Sequence, residues 1–266
     1  MFKEIIIPIA IFAGLGLVFG IILAVASKIF SVKRDEKAEK IDDVLPHANC
    51  GACGYSGCAA YAEAIAKGEA KELNLCTVGG EPVAKHIGEI MGVDVVAKKR
   101  YVARVMCSGS NQYSKKKYAY HGTADCLSAA RLSGGDKMCP NACIGLGSCV
   151  SVCKYHALSV IDGVAVVNPE NCVACRACVD ICPKNIIQMV PYDSNFWVCC
   201  VSAENGPMTR EHCDTGCISC RLCVKACEYD AISINDFHAT IDYNKCVSCG
   251  KCMAVCPRHI IHTKKS

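Results

Sequence analysis

The sequence predicts an α+β protein in which one apolar N-terminal helix is followed by several small cysteine-rich units. Three observations predict this class. Residues 5–27 form one continuous apolar segment without a charge. Cysteine accounts for 25 of the 266 residues, a share that requires either disulfides or metal. Eight cysteines, from Cys139 to Cys182, recur at one constant interval as Cys213 to Cys256, which indicates a duplicated unit.

The apolar segment is long enough to cross a membrane. As a helix, residues 5–27 would span about 34 Å, and a hydrocarbon core is about 30 Å thick. A cleaved signal peptide is the alternative, because residues 24–26 read Ala-Val-Ala, an A-x-A cleavage site. However, the segment exceeds the usual apolar region of a signal peptide, and Glu4 cancels the charge of Lys3. The sequence therefore predicts a transmembrane anchor over residues 1–30.

Cationic residues around the segment predict its orientation. Lys28, Lys33 and Arg34 follow it, whereas only Lys3 precedes it. Because cytoplasmic flanks are enriched in lysine and arginine, the long C-terminal part is expected inside the cell. The predicted location is the cell inner (cytoplasmic) membrane, as a single-pass protein with the bulk of the chain on the cytoplasmic side. That compartment keeps thiols reduced.

The second predicted domain, residues 31–90, contains the stretch NCGACGYSGC and one later cysteine. Three thiolates in a glycine-rich loop and a distant fourth make a four-ligand set, because glycine lets the backbone wrap closely around a bulky cluster. The alanine-rich segment between the third and fourth cysteines is helix-prone. Zinc is the alternative, since four cysteines suffice for it. The predicted ligands are Cys50, Cys53, Cys58 and Cys76.

Three later stretches match C-x2-C-x2-C-x3-C, in which three cysteines bind one four-iron four-sulfur (4Fe-4S) cluster and the fourth reaches a neighbouring cluster. Two paired motifs make a bacterial-type two-cluster ferredoxin. We therefore predict tandem ferredoxin units at residues 136–192 and 193–266, after a connecting segment at residues 91–135. The complete motifs are Cys172, Cys175, Cys178 and Cys182; Cys217, Cys220, Cys223 and Cys227; and Cys246, Cys249, Cys252 and Cys256.

The fourth cysteine of each motif is expected to cross to the other cluster of its unit. In unit one, Cys182 then joins Cys143 and Cys149, while Cys153 joins Cys172, Cys175 and Cys178. In unit two, Cys256 joins Cys217, Cys220 and Cys223, while Cys227 joins Cys246, Cys249 and Cys252. Unit two is complete on this basis, whereas the first cluster of unit one has only three ligands.

The incomplete motif, MCPNACIGLGSCVSVC at residues 138–153, has Leu146 in the position of the second cysteine. Cys139, which lies shortly before Cys143, is the predicted substitute. Its repeat counterpart, Cys213, is then spare, because unit two already has Cys220. The sequence thus predicts that the same position is a ligand in one unit and redundant in the other.

Four further cysteines have no assigned role: Cys107, Cys126, Cys199 and Cys200. Cys126 precedes Cys139 by the same interval as Cys200 precedes Cys213. An additional cluster site in each unit, built from these pairs, is therefore the alternative to buried or free cysteines. The predicted cofactors are five 4Fe-4S clusters, with a sixth under that alternative.

Other classes of function find no support in the sequence. No GxGxxG follows a strand and no Walker loop is present, so neither nucleotide nor flavin is expected on this chain. The net charge of +4 is small, and no nucleic-acid partner is expected. The eight histidines show no ligand spacing, and we predict no catalytic residue.

The chain resembles the B subunits of Rnf complexes, which are ion-translocating ferredoxin:NAD oxidoreductases. The resemblance rests on three features in order along the chain: the apolar segment, then NCGACGYSGC with Cys76, then the ferredoxin motifs. The resemblance implies a membrane electron-transfer subunit working between soluble ferredoxin and an NAD-binding partner subunit, alongside other Rnf membrane subunits. The translocase activity would belong to the complex, and this chain would carry electrons only. The alternative is a polyferredoxin-like subunit of another membrane redox enzyme, of the hydrogenase or formate-oxidising type.

Overall fold

The structure, a computed structural model, describes residues 2–29, 35–96 and 98–264. Short helices and two-stranded antiparallel sheets make up the chain beyond the first helix, as the α+β prediction requires. The apolar cores are correspondingly small, and many of the buried positions are cysteines. Domains of this size bury little surface, so bound metal would supply much of their folding energy.

The first helix, α1, covers Phe2–Ile29, and it corrects the predicted anchor. Within the described residues, no helix is long and apolar enough to cross a membrane. The prediction of a single-pass transmembrane helix over residues 1–30 is therefore wrong. Lys33 and Arg34, used to predict the orientation, lie outside the described residues.

The second domain is a three-helix unit. Its helices pack through apolar side chains, among which Ile41, Tyr61, Ile65 and Ile87 are almost fully buried. Asp35 caps the first of them by accepting a hydrogen bond from the Lys37 N–H at 2.9 Å. The helices are α2, Glu36–Val44; α3, Cys58–Ala66; and α4, Gly80–Met91. The helix-prone segment predicted after Cys58 is thus α3.

Unit one contains two small sheets. The strands are β1, Tyr101–Val105; β2, Leu158–Ile161; β3, Val164–Val167; and β4, Ile187–Pro191. The helices are α5, Cys126–Arg131; α6, Ser148–Ser151; and α7, Ala177–Asp180. β1 pairs with β4, and β2 pairs with β3 in a hairpin. Because β1 precedes residue 136, we propose that unit one extends back into the predicted connecting segment.

Unit two repeats this plan. Its strands are β5, Phe196–Val198; β6, Ile232–Asn235; β7, His238–Ile241; and β8, Ile261–Thr263. Its helices are α8, Gly206–His212; α9, Leu222–Lys225; and α10, Lys251–Ala254. β5 pairs with β8, and β6 with β7.

The strand registers show where the two units differ in length. Val105 pairs with Ile187, and Val198 pairs with Ile261. Ile187 and Ile261 are separated by the repeat interval, whereas the separation of Val105 and Val198 is longer. Unit one therefore carries an insertion between its first strand and its cysteine motif. The longer segment of unit one contains α5 and Cys126.

The two units meet along their first strands. The Arg104 guanidinium lies 3.9 Å from the centre of the Trp197 ring, and both side chains are buried. Just beyond these strands, Cys107 and Cys200 form an isolated antiparallel bridge. These contacts hold the units together at the point where three of the four unassigned cysteines lie, Cys107, Cys199 and Cys200.

Candidate metal centres

The glycine-rich loop of the second domain brings four cysteines together around the start of α3. The Asn49 Oδ1 accepts a hydrogen bond from the Cys58 N–H at 2.9 Å. A Cβ at Gly57 would lie 2.8 Å from that oxygen, so a larger residue there would displace the Asn49 side chain from this bond. Burial raises the pKa of Cys76, and the thiols of Cys58, Cys53 and Cys50 raise it further. All four predicted ligands of this domain are therefore neighbours.

Tyr61 fixes the segment that leads to Cys76. Its phenol donates a hydrogen bond to the Glu72 carbonyl and accepts one from the Leu75 N–H, both at 3.1 Å. Burial raises the pKa of Tyr61 to about 12. The Gly79 N–H in turn donates to the Cys76 Sγ at 3.3 Å, which is the kind of contact that stabilises a thiolate.

Unit one contains a cavity whose sulfur lining follows the crossed pattern. The cysteines that line it are Cys153, Cys172, Cys175 and Cys178. The Ala157 N–H donates to the Cys153 Sγ at 3.4 Å, and the Ala103 N–H donates to the Cys172 Sγ at 3.4 Å. The structure thus brings together one complete predicted ligand set of this unit.

A second cavity of unit one has an unexpected fourth cysteine. It is lined by Cys143, Cys149 and Cys182, as predicted, and also by Cys126. Cys139, the predicted fourth ligand, does not line it. The Cys126 thiol adds to the effect of burial and of Cys143 in raising the pKa of Cys149 to about 12. Cys126 therefore occupies the place that Leu146 leaves without a thiol.

Hydrogen bonds hold Cys126 beside this cavity. The Asp125 carboxylate caps α5 by accepting from the Ser128 N–H at 2.7 Å. It also accepts from the Ser148 hydroxyl at 2.9 Å, and the Ser148 Oγ accepts from the Cys126 N–H at 2.8 Å. Since Ser148 begins α6, these bonds join the inserted helix to the cysteine motif. Sequence spacing could not reveal this contact between distant segments.

Unit two has the cavity that its complete motif predicts. It is lined by Cys217, Cys220, Cys223 and Cys256. In the other predicted set of this unit, the thiols of Cys246 and Cys249 add to the effect of burial in raising the pKa of Cys252 to about 11. Cys227 packs against the same apolar core as Cys252.

The loops around these cavities can hold an anionic cluster. Arg176 and Arg221, which precede α7 and α9, adopt left-handed backbone with φ of 67° and 59°. Such turns point successive N–H groups towards one spot and favour a bound anion, and they carry strain typical of functional sites. The three cavities have similar volumes and mainly apolar linings. Together with four thiols per cavity, this fits a 4Fe-4S cluster.

The structure places Cys139 elsewhere, at the junction of the two units. Its Sγ lies 3.7 Å from the Ser202 Oγ of unit two. Burial raises the pKa of Cys139, and the Cys213 thiol adds to this shift. Its role as a ligand of the first cluster of unit one remains a prediction.

Comparison with known proteins agrees with this description. A family of putative Fe-S cluster domains matches residues 45–78, and the 4Fe-4S dicluster domain family matches residues 142–186 and 216–260. The chain is 40% identical over 98% of its length to the B subunit of the Na⁺-translocating ferredoxin:NAD⁺ oxidoreductase complex of Acetobacterium woodii, and covers 78% of that protein.

Two further relatives extend this similarity. The chain is 39% identical over 99% of its length to the B subunit of the ion-translocating oxidoreductase complex of Methanosarcina acetivorans, and covers 100% of it. It is 38% identical over 96% of its length to the B subunit of the proton-translocating ferredoxin:NAD⁺ oxidoreductase complex of Clostridium ljungdahlii, and covers 91% of it.

Proposed function

Because the chain belongs to the family of B subunits of Rnf-type ion-translocating ferredoxin:NAD oxidoreductase complexes and is an electron-transfer subunit of such a complex, we propose that it carries single electrons through at least five 4Fe-4S clusters. The electrons would pass between soluble ferredoxin and an NAD-binding partner subunit. The observation that supports this most directly is the repeated cavity lined by four cysteines.

We propose the following ligand sets, which replace Cys139 by Cys126 in the first cluster of unit one. The second domain contributes Cys50, Cys53, Cys58 and Cys76. Unit one contributes Cys126, Cys143, Cys149 and Cys182, and also Cys153, Cys172, Cys175 and Cys178. Unit two contributes Cys217, Cys220, Cys223 and Cys256, and also Cys227, Cys246, Cys249 and Cys252.

The proposed sites form a series. The Cys50 thiol adds to the burial-driven rise of the Cys175 pKa, so the second domain adjoins one cavity of unit one. The Cys178 thiol likewise contributes to the raised pKa of Cys149, which links the two cavities of that unit. Electrons could therefore move along the chain without leaving it.

Bound clusters supply one-electron redox chemistry, and the protein residues tune it. The thiolates bind iron, and backbone N–H groups such as that of Ala157 stabilise the charge on sulfur. The apolar linings exclude water. Cys50, Cys220 and Cys249 are exposed, so both ends of the series lie open to redox partners. We place the subunit on the cytoplasmic side of a membrane-associated complex, where ferredoxin and NAD are available.

The test is reduction of the anaerobically purified full chain by a reduced low-potential ferredoxin. We expect rapid bleaching of the cluster absorbance and the electron paramagnetic resonance (EPR) signals of several reduced 4Fe-4S centres. Apo-protein, prepared by chelation under reducing conditions, is the control and should accept no electrons. A chain that contains its full iron but is not reduced by ferredoxin would contradict the proposal.

A further inference from the structure

Four cysteines outside the proposed ligand sets converge at the junction of the two ferredoxin units: Cys107, Cys139, Cys200 and Cys213. A Cβ at Gly109 would lie 3.3 Å from the Cys213 Sγ and 3.6 Å from the Cys107 Sγ, so these two sulfurs are close neighbours. Cys107 and Cys200 oppose each other in an antiparallel bridge, where Cβ atoms are about 5 Å apart. The Cys139 Sγ lies 3.7 Å from the Oγ of Ser202, two residues after Cys200.

The four residues are related by the internal repeat. The Cys107 Sγ accepts a hydrogen bond from the Cys143 N–H at 3.4 Å. The Cys200 Sγ accepts one from the Cys217 N–H at 3.2 Å, and Cys217 is the repeat counterpart of Cys143. Each unit therefore contributes one cysteine that follows its first strand and one that precedes its motif. Such a matched set is unexpected for unrelated free thiols.

A buried positive charge lies at the same place. Lys137 is 3% exposed, and its Nζ donates to the carbonyl oxygens of Gly109 and Gly163 at 2.7 and 2.9 Å. None of the ion pairs among the described residues gives it a carboxylate partner. A buried cation requires a compensating charge. Because its acceptor Gly109 also adjoins the Cys107 and Cys213 sulfurs, metal-bound thiolates there would supply that charge.

We propose that Cys107, Cys139, Cys200 and Cys213 bind a sixth 4Fe-4S cluster that the two ferredoxin units share. Within the part of the chain that the structure describes, no three side chains converge closely enough to hold a single metal ion. The Cys143 and Cys217 N–H groups donate to two of the four junction sulfurs, which is the kind of support that metal-bound thiolates receive in proteins.

The junction cluster would join the two halves of the electron path; this role rests on the proposed function. The hydrogen bonds from Cys143 and Cys217 place it directly beside the first cluster site of each unit. One electron would leave a reduced cluster on one side, which is thereby oxidised, and would reduce the junction cluster. The junction cluster would return to its oxidised state by reducing the cluster on the other side, with no atom transferred.

The test counts metal in the full chain purified anaerobically. We expect about 24 irons and as many labile sulfides per wild-type chain, and about 20 in Cys213→Ser and in Cys139→Ser. Cys199→Ser is the matched control, because Cys199 is also buried but packs with Met106, Val190 and Trp197 instead. It should retain about 24 irons. EPR of the reduced serine variants should show the loss or conversion of one signal only.

Native mass spectrometry of the wild-type chain counts the same cofactors without any substitution. The proposal can therefore be tested even if a serine variant fails to fold. About 20 irons in a folded wild-type chain would overturn the proposal. So would one zinc per chain that disappears in Cys213→Ser. These measurements do not involve reduction by ferredoxin. A failure of the proposed function can therefore be distinguished from the absence of a sixth cluster.

Discussion

The two ferredoxin units share their repeated cysteines and the same sheet pairings, yet they obtain one thiol of their first cluster site in different ways. In unit two, Cys220 lies within the motif itself. In unit one, Leu146 stands at that position, and we propose that Cys126 of α5, which lines the same cavity, supplies the thiol. The comparison teaches that the position of a sulfur in space is what the site requires, and that a distant segment can supply it.

In unit one, Cys126 needs additional contacts to hold it in position. Unit two needs no such contacts for Cys220. A motif cysteine is placed by the loop that contains its neighbours, whereas Cys126 is placed by Asp125 and Ser148. At the repeat counterpart of Ser148, unit two has Leu222 in an exposed position. Leu222 therefore cannot make the hydrogen bonds that Ser148 makes in unit one.

The largest effect is expected from removing the Cys126 thiol, which distinguishes unit one from unit two. Cys126→Ser should lose the first cluster of unit one, about four irons per chain, and its EPR signal. Leu146→Cys in the same chain should restore them, because it gives unit one the spacing of unit two.

Cys139→Ser is the control for this rescue. It should also lose iron, from the junction, but Leu146→Cys should not restore it. Rescue of Cys139→Ser and not of Cys126→Ser would show that Cys139 is the ligand of the first cluster after all.

The sequence predicted the local parts of these sites and missed the distant ones. Motifs such as Cys172 to Cys182 are short loops, and their spacing reflects geometry within a few residues. Cys126 and Cys107 reach their sites through contacts with distant segments, which no spacing rule describes.

The repeat itself misled the interpretation at this point. Cys126 precedes Cys200 by the repeat interval, but the strand registers make Cys107 the structural counterpart of Cys200. The insertion in unit one shifted the numbering and concealed the correspondence. The predicted membrane anchor was wrong for another reason. It depended on the apolar character of one segment, and no helix among the described residues is long and apolar enough to cross a membrane.

The next largest effect concerns the strands at which the units meet. Arg104 and Trp197 occupy equivalent positions of β1 and β5, and face each other across the junction. Trp197→Leu should lower the free energy of unfolding by about 2 kcal/mol, because a desolvated cation–π contact and apolar packing are both lost. Anaerobic thermal unfolding measures this.

A double-mutant cycle separates the contact from the packing. Arg104→Met alone removes the charge, and Trp197→Leu in that background should cost about 1 kcal/mol less than in the wild type. Additive effects would mean that the two units gain nothing from this pair.

A smaller effect is expected at the support of Cys126. Ser148→Ala removes the acceptor for the Cys126 N–H and the donor to Asp125, which should cost about 1 kcal/mol or slightly more. The iron of the first cluster of unit one should then be lost faster to a chelator. Leu222→Ala is the matched change in unit two, and equal acceleration by both variants would contradict a specific support in unit one.

The smallest effect is a difference in acid sensitivity. His262 of β8 is the repeat counterpart of Gln188 of β4, so only unit two has a titrating side chain there. Burial lowers the pKa of His262, against a weaker opposing hydrogen bond with the backbone of His259. Its cross-strand neighbour, Trp197, carries no charge.

The direction of the pH dependence follows from this depressed pKa. The unfolded chain binds a proton at His262 more readily than the folded chain, so stability falls as the pH drops below about 6.5, the ordinary histidine value. Above that value both states are neutral and the residue contributes no slope. His262→Gln, which makes unit two like unit one, should therefore raise the unfolding midpoint relative to wild type at pH 5.5 and leave the difference constant between pH 7 and 8. Parallel midpoint curves for the two proteins from pH 5.5 to 8 would show that this position does not distinguish the units.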